Sequence, residues 1–320
     1  MQNSFCPMTP QMIEKRHLRD DANYIGGMML ALEGAMFLLG ILLQVVAELF
    51  AMDLQTFLLV YSVIYSVGMA LPAIVISLMT RRRFFPLSPA RSVKASDAFF
   101  GILAAVGVCM AANIAVNIIL TFFESVGVPE PQMPDYLQPT LPSLLLNIFV
   151  FAVLPALMEE LVFRGYVLRA LRPYGDWFAV VISSLMFSLM HGNIAQIPFA
   201  LIVGIALGWL YVMTDNIWLP VSVHFANNAF SYLLQYCTLG MDDAALGLMN
   251  TFAIFTLIVI GAISLAVLIA RRSRLFRRLT RRSSLPIGSR VGALFGAPLF
   301  LVSVAVFVLL TVMDVIGSMG

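Results

Sequence analysis

The chain has 320 residues, of which 61% are hydrophobic and only 11% charged, whereas a soluble globular protein carries about a quarter charged. With a mean hydropathy of +0.94, lipid must be the solvent for most of its surface, which excludes a pair of ordinary soluble domains. A net charge of +2 gives no basis for a nucleic-acid partner, and Cys6, Cys109 and Cys237 form no CxxC pair that would suggest a disulfide framework or a thiolate zinc site.

Residues 1–24 are polar, mixing Lys15, Arg16 and Arg19 with Glu14, Asp20 and Asp21. They lack the short apolar core and small-residue cleavage site of a secretory signal, so the first hydrophobic helix is expected to insert and stay. A spanning helix needs about 20 mostly apolar residues. On that scale spans fall near 25–50, 54–79, 98–123, 143–172, 177–191, 196–213, 217–237, 249–270 and 293–316. The fifth and sixth are the shortest, and Gly296 and Pro298 delay the start of the last. The expected fold is all-α, a polytopic transmembrane bundle of eight or nine spans. Its organisation reads as an N-terminal segment 1–24, three helices over 25–142, a core over 143–240 and C-terminal helices over 241–320.

The basic residues sort to one side. Lys15, Arg16 and Arg19 precede the first span, and Arg81, Arg82, Arg83, Arg91 and Lys94 lie between spans two and three. Arg169 and Arg172 close the fourth, and eight arginines from Arg271 to Arg290 separate the eighth from the ninth. The opposite loops carry Asp53, Glu124, Glu130, Asp135, Asp242 and Asp243, with no Lys or Arg. The positive-inside rule then makes the N-terminus and the loop 271–290 cytoplasmic. That basic run is read as a topology determinant rather than a ligand site.

Ionisable groups inside a bilayer are costly and are functional candidates by default. Glu159, Glu160 and Arg164 lie in LMEELVFRGYVLRAL, His191 in FSLMHGN, and His224 with Asn228 in PVSVHFANNAF. Glu160 and Arg164 are four apart, hence on one helical face and able to pair. The same spacing joins His224 to Asn228 and Phe187 to His191. Counted at about 1.5 Å per residue, Glu159 lies roughly 20 Å from Arg172 and His191 roughly 22 Å from Asp176. His224 and Asn228 lie roughly 12 and 18 Å from Asn216. All four therefore approach mid-membrane, provided that the fourth helix continues through Gly165 to about Arg172.

A carboxylate beside a histidine, sheltered from bulk solvent, can hold and deprotonate a water. A second histidine and an asparagine amide on one face can donate hydrogen bonds to a developing oxyanion. Together these parts suit amide hydrolysis. Glu159, His191 and His224 could equally hold a catalytic zinc with an open position for water. Taken singly, a Glu–Arg pair can simply lock helices together, and a His or Asn can bond across an interface. Gly204 and Gly208 form a GxxxG packing face, and Glu33 and Glu48 have no identifiable partner.

Three motifs in order, EExxxR (Glu159, Glu160, Arg164), FxxxH (Phe187, His191) and HxxxN (His224, Asn228), resemble those of the CAAX-processing and bacteriocin-processing (CPBP, or Abi) intramembrane proteases. The resemblance covers roughly residues 143–235. It implies that Glu159 is the general base for a water shared with His191, that His224 and Asn228 form the oxyanion site, that Glu160 and Arg164 support them, and that Phe187 packs beside them. The family has been described both as metalloproteases and as metal-independent glutamate enzymes. No cofactor is required on the favoured reading, because neither histidine shows a further ligand or carboxylate partner. With zinc bound, Glu159, His191 and His224 are the expected ligands.

The favoured function is an intramembrane endopeptidase acting on a membrane-associated, prenylated or peptide substrate, in contact with membrane lipid and placed in a bacterial plasma membrane. Two other classes use the same residues: a proton- or ion-coupled transporter, and a non-catalytic membrane binder or immunity protein. A transporter more often shows repeated halves or paired broken helices, and neither is found. HExxH, GxSG and GxGD motifs are all absent, which removes the site-2 zinc, serine and aspartyl classes.

Overall fold

A computed structural model describes residues 8–80, 92–125, 127, 136–271 and 283–319, and no strand occurs among them. The loop arginines 81–83, 91 and 272–282, together with Glu130, Asp135 and Cys6, lie outside the described residues. Helix α1 (Pro10–Leu49) begins well before the apolar stretch that starts at residue 25. Its start has a local cause. Thr9 accepts a hydrogen bond from the Met12 N–H, and Pro10 occupies the first turn, where its missing N–H costs nothing. The polar segment thus becomes the first turns of a long helix, with Leu18, Asp21 and Ala22 buried.

The other elements follow the apolar pattern closely. They are α2 (Leu54–Thr80), α3 (Ala95–Ser125), α4 (Leu141–Tyr174), α5 (Asp176–Leu189), α6 (Gln196–Thr214), α7 (Trp218–Thr238), α8 (Asp243–Ala270), α9 (Ile287–Phe295) and α10 (Pro298–Met319). Seven of them (α1, α2, α3, α4, α6, α8 and α10) are long and apolar enough to cross a membrane. The fourteen residues of α5 extend only about 21 Å, less than an apolar core of about 30 Å. Helix α7 has the length, but His224, Asn227, Asn228 and Gln235 dilute its hydropathy. This is an integral membrane helical bundle. Its outer faces carry exposed Phe37, Leu38, Phe252 and Ile316, whereas Glu159, Glu160 and Arg164 are buried inside it.

Two apolar cores hold the bundle. The larger joins α1, α2, α4, α5, α6, α7, α9 and α10 around Met28, Phe163, Phe187 and Phe307. The smaller joins α3, α6 and α7 around Met110, Leu207 and Val223, and Trp209 packs against both. Helix α8 lies outside and pairs with α3. That crossing depends on glycine, because a Cβ on Gly107 would stand 2.7 Å from the Gly261 Cα. The expected GxxxG face is also real. A Cβ on Gly204 would press within 3.1 Å of Ser184, and one on Gly208 within 3.3 Å of Leu168 and Val180.

The ends of α4, α5 and α6 are tied by Arg172, whose guanidinium bonds Asp176 at 3.0 Å, Asp215, and the Val212 carbonyl at 3.3 Å. Tyr174 donates to Asp21 of α1 at 2.7 Å, and its carbonyl accepts from Arg290 of α9 at 2.7 Å. After α9, the chain breaks at Gly296 and Ala297 before α10, where Pro298 sets the helix start. The Leu299 N–H in that first turn has no intrahelical acceptor and donates instead to Asn23 of α1 at 3.1 Å.

Candidate active site

Helix α4 carries both acidic residues of the first motif, and it does continue through Gly165 to Tyr174. It is not uniform, however. Two wide π-turns, Phe149–Val153 and Phe163–Leu168, flank the segment that bears Glu159 and Glu160. The first has a cause in the sequence. Pro155 has no N–H to donate to the carbonyl of Phe151 four residues before it, so that carbonyl is left without its helical partner. Asn228 of α7 supplies the donor, with Nδ2 to Phe151 O at 3.1 Å. At the second turn the Ser183 hydroxyl of α5 donates to the carbonyl of Phe163 at 3.0 Å. In both places a side chain from a neighbouring helix takes up a carbonyl of the wide turn, which fixes α4 against α7 and α5. Such turns are rare and concentrate at functional sites.

Glu160 and Arg164 form the expected pair, with Nη1 to Oε1 at 2.7 Å and both side chains sealed from solvent. Arg164 also donates from Nη2 to the Gly204 carbonyl at 3.0 Å and lies 4.8 Å from the centre of the Phe187 ring. The sequence did not disclose the second partner of Glu160. His224 Nδ1 lies 3.0 Å from the same Oε1, so one carboxylate oxygen receives both the arginine and the histidine. That contact orients the imidazole with Nε2 toward Glu159 Oε2, 3.8 Å away.

Glu159 points to a different side of α4, as the 100° step between neighbours requires. Its Oε1 accepts from the Tyr65 hydroxyl of α2 at 2.7 Å. Its Oε2 is buried and has no hydrogen-bond partner among the described residues. A buried carboxylate oxygen without a partner is rare enough to call for an explanation. Tyr65 was missed in the sequence because it is 94 residues away and belongs to no motif. The only hint is the pair Tyr61 and Tyr65, one turn apart in an apolar span, with rings stacked at 6.0 Å.

His191 sits just beyond the end of α5 in a turn that Gly192 completes at φ +60°, rather than on the helix itself. Its Nδ1 donates to the Phe187 carbonyl at 2.9 Å, which leaves Nε2 as the acceptor. The Phe187 ring stands edge-on to both histidines, at 5.0 Å from His191 and 6.1 Å from His224. Phe187 therefore separates and orients the two imidazoles as well as filling space. Asn228, besides its bond to Phe151, accepts from Asn227 at 3.1 Å.

Among the described residues no three His, Cys, Asp or Glu side chains are grouped so as to hold a metal ion. Glu159, His191 and His224 are thus not grouped as a ligand set, although Glu160 at His224 Nδ1 is the carboxylate partner that spacing did not reveal, and it leaves Nε2 free. As they stand in this structure, these residues are not arranged as a three-ligand zinc site.

This arrangement lies inside the segment that matches known proteins. Residues 141–230 match the profile of the type II CAAX prenyl endopeptidase Rce1-like family. This segment resembles an Rce1-like CAAX protease domain. YdiL of Bacillus subtilis (strain 168), whose name marks it as a candidate membrane peptidase, is 30% identical over 91 residues, covering 28% of this chain and 37% of YdiL. The membrane-embedded CAAX protease MroQ of Staphylococcus aureus (strain USA300) is 30% identical over 95 residues, covering 28% of this chain and 38% of MroQ. The chain spans little more than a third of the length of either relative. No solved structure gives a significant match. The Rce1-like segment contains Glu159, Glu160, Arg164, Phe187, His191, His224 and Asn228, whereas Tyr65 lies outside it.

Proposed function

We propose that this protein is an intramembrane endopeptidase that cleaves a membrane-associated protein or peptide, prenylated or not, with a water activated by Glu159. The observation that carries this reading is the buried, unpartnered Glu159 Oε2 facing His224 Nε2 at 3.8 Å. A water beside Oε2 gives up a proton to it, and the remaining hydroxide attacks the scissile carbonyl carbon. His191 Nε2, an acceptor by virtue of its Nδ1 bond, receives the second hydrogen of that water and holds it in line. The carbonyl oxygen becomes an oxyanion as the C–N bond weakens. An amide hydrogen of Asn228 stabilises it, and so does Nε2–H of His224 in the doubly protonated form, whose Nδ1–H is held by Glu160. Glu159 then returns the proton to the leaving amine, and the two new termini separate.

In this scheme Glu160 holds His224 by Nδ1, and Arg164 balances the Glu160 charge inside the apolar bundle. The protein would sit in a bacterial plasma membrane with its N-terminus cytoplasmic, as the sorting of basic residues suggests. Terminomics on host membranes containing wild type or Glu159→Ala at equal expression tests the reading. Termini found only with wild type are expected, and their positions distinguish a C-terminal, CAAX-like cut from an internal one. Identical termini in both membranes would overturn the assignment. Repeating the cleavage with purified protein and a chelator separates glutamate chemistry from metal chemistry.

A further inference from the structure

We infer that Tyr65 of α2 is a positioning residue for Glu159, so that the catalytic unit extends beyond the Rce1-like segment to a helix of the N-terminal third of the chain. The inference rests on the reading of Glu159 as the base. A glutamate side chain has three rotatable bonds, and within a cavity its two oxygens are interchangeable unless one is held. The Tyr65 hydroxyl holds Oε1 at 2.7 Å, and Oε2 is the atom left without a partner, 3.8 Å from His224 Nε2. One hydrogen bond thereby decides which oxygen meets the water.

The choice of residue type follows from the setting. The site lies at membrane depth, where a lysine or arginine facing Glu159 would neutralise it as a base. A phenol instead brings a neutral donor on a ring that belongs in the apolar core. Tyr65 is itself buried, packs in the same core as Ala156, Val162 and Phe187, and stacks on Tyr61. Its hydroxyl therefore has one direction in which to donate. Helix α2 also packs directly against the stretch of α4 that bears Glu159, so the contact is built by the fold and not by a mobile loop.

The test compares Tyr65→Phe, Tyr61→Phe and Glu159→Gln in full-length protein reconstituted in lipid. The probe is a synthetic peptide spanning a cleavage that depends on wild type. Tyr65→Phe keeps the ring and removes only the oxygen. Loss of a hydrogen bond to a charged group predicts a kcat lower by about ten- to a hundredfold, with KM unchanged within about twofold. Tyr61→Phe, which keeps the stack, retains wild-type kcat. A merely structural tyrosine would lower the yield or melting temperature of folded protein and leave the kcat of the folded fraction unaltered.

An infrared difference spectrum reads the contact without any substrate. The carboxylate bands that vanish in Glu159→Gln shift in Tyr65→Phe if the hydroxyl binds that carboxylate. A wild-type kcat in Tyr65→Phe beside an inactive Glu159→Gln, or unshifted bands, would overturn the inference and leave the protease reading intact. An active Glu159→Gln would remove the protease reading and this inference with it.

Discussion

Helix α4 carries two ionic clusters that differ in how completely they are satisfied. At its end, Arg172 joins Asp176, Asp215 and the Val212 carbonyl, while Tyr174 and Arg290 link the same corner to α1 and α9. At membrane depth, Glu159, Glu160, Arg164 and His224 are nearly sealed, yet Glu159 Oε2, Glu160 Oε2 and Arg164 Nε lack partners. The first arrangement spends most of its groups on joining helices. The second keeps polar atoms in reserve where each is expensive to leave unpaired. Under the proposed function, the contrast sets chemistry against architecture along a single helix.

The largest test of that contrast is Glu159→Gln against Arg172→Ala. The first is expected to lower cleavage by about a hundred- to ten-thousandfold with insertion and melting unchanged. The second is expected to keep cleavage close to wild type. Equal losses in the two variants, measured as kcat on the same peptide, would erase the distinction.

Arg164→Ala comes next, because it leaves Glu160 in the apolar interior without its guanidinium partner. A loss of about 3–5 kcal/mol is expected from thermal or denaturant unfolding in detergent. The double variant Glu160→Gln, Arg164→Met removes both charges, and much of that stability should return while activity does not. A double variant as unstable as Arg164→Ala would show that the pair is not the cause. Arg172→Ala itself is expected to cost less than Arg164→Ala, since Arg172 and Asp215 are partly solvated although Asp176 is buried.

The smallest effect lies outside both clusters, at Asp53 between α1 and α2. The hydrogen bond from the Thr56 hydroxyl is the largest influence holding this carboxyl below its ordinary range, and the Thr56 and Gln55 N–H groups add to it. A lowered folded-state value means that the stabilisation is present above the ordinary aspartate range and is lost as pH falls through the lowered value. Melting temperature should therefore decline slightly on the acid side in wild type and less in Asp53→Asn. The same acid slope in both would exclude Asp53 as its source.

Much of this protein was legible in its sequence, for identifiable physical reasons. Apolar runs of spanning length located the helices, because lipid leaves a chain few alternatives to a helix. The four-residue step from Glu160 to Arg164 disclosed a pair on one face. Other features were present but quiet. Thr9 and Pro10 mark the true start of α1, yet the charged residues after them read as a tail. Pro155 implies an orphan carbonyl at Phe151, although its partner on α7 cannot be deduced from spacing. The contacts of Glu159 with Tyr65 and of Glu160 with His224 join residues 94 and 64 apart in sequence, and only the packed bundle brings them together. His191 lies past its helix because α5 stops at Leu189.

The wide turns of α4 have a consequence for how the chain tolerates change in length. A π-turn holds one residue more than an α-turn over the same path, so α4 carries surplus chain on either side of Glu159 and Glu160. Removing one residue within Phe149–Val153 takes up that surplus and keeps both flanking faces where they were, at the cost of seating the Pro155 ring against a carbonyl one turn back. Removing one residue between Leu154 and Val162 has no such slack to draw on. It swings everything on one side of the cut by about 100° relative to the other, and a carboxylate moves from the bundle interior toward lipid. The helix is thus forgiving of deletion at the first wide turn and unforgiving in the nine residues that follow it.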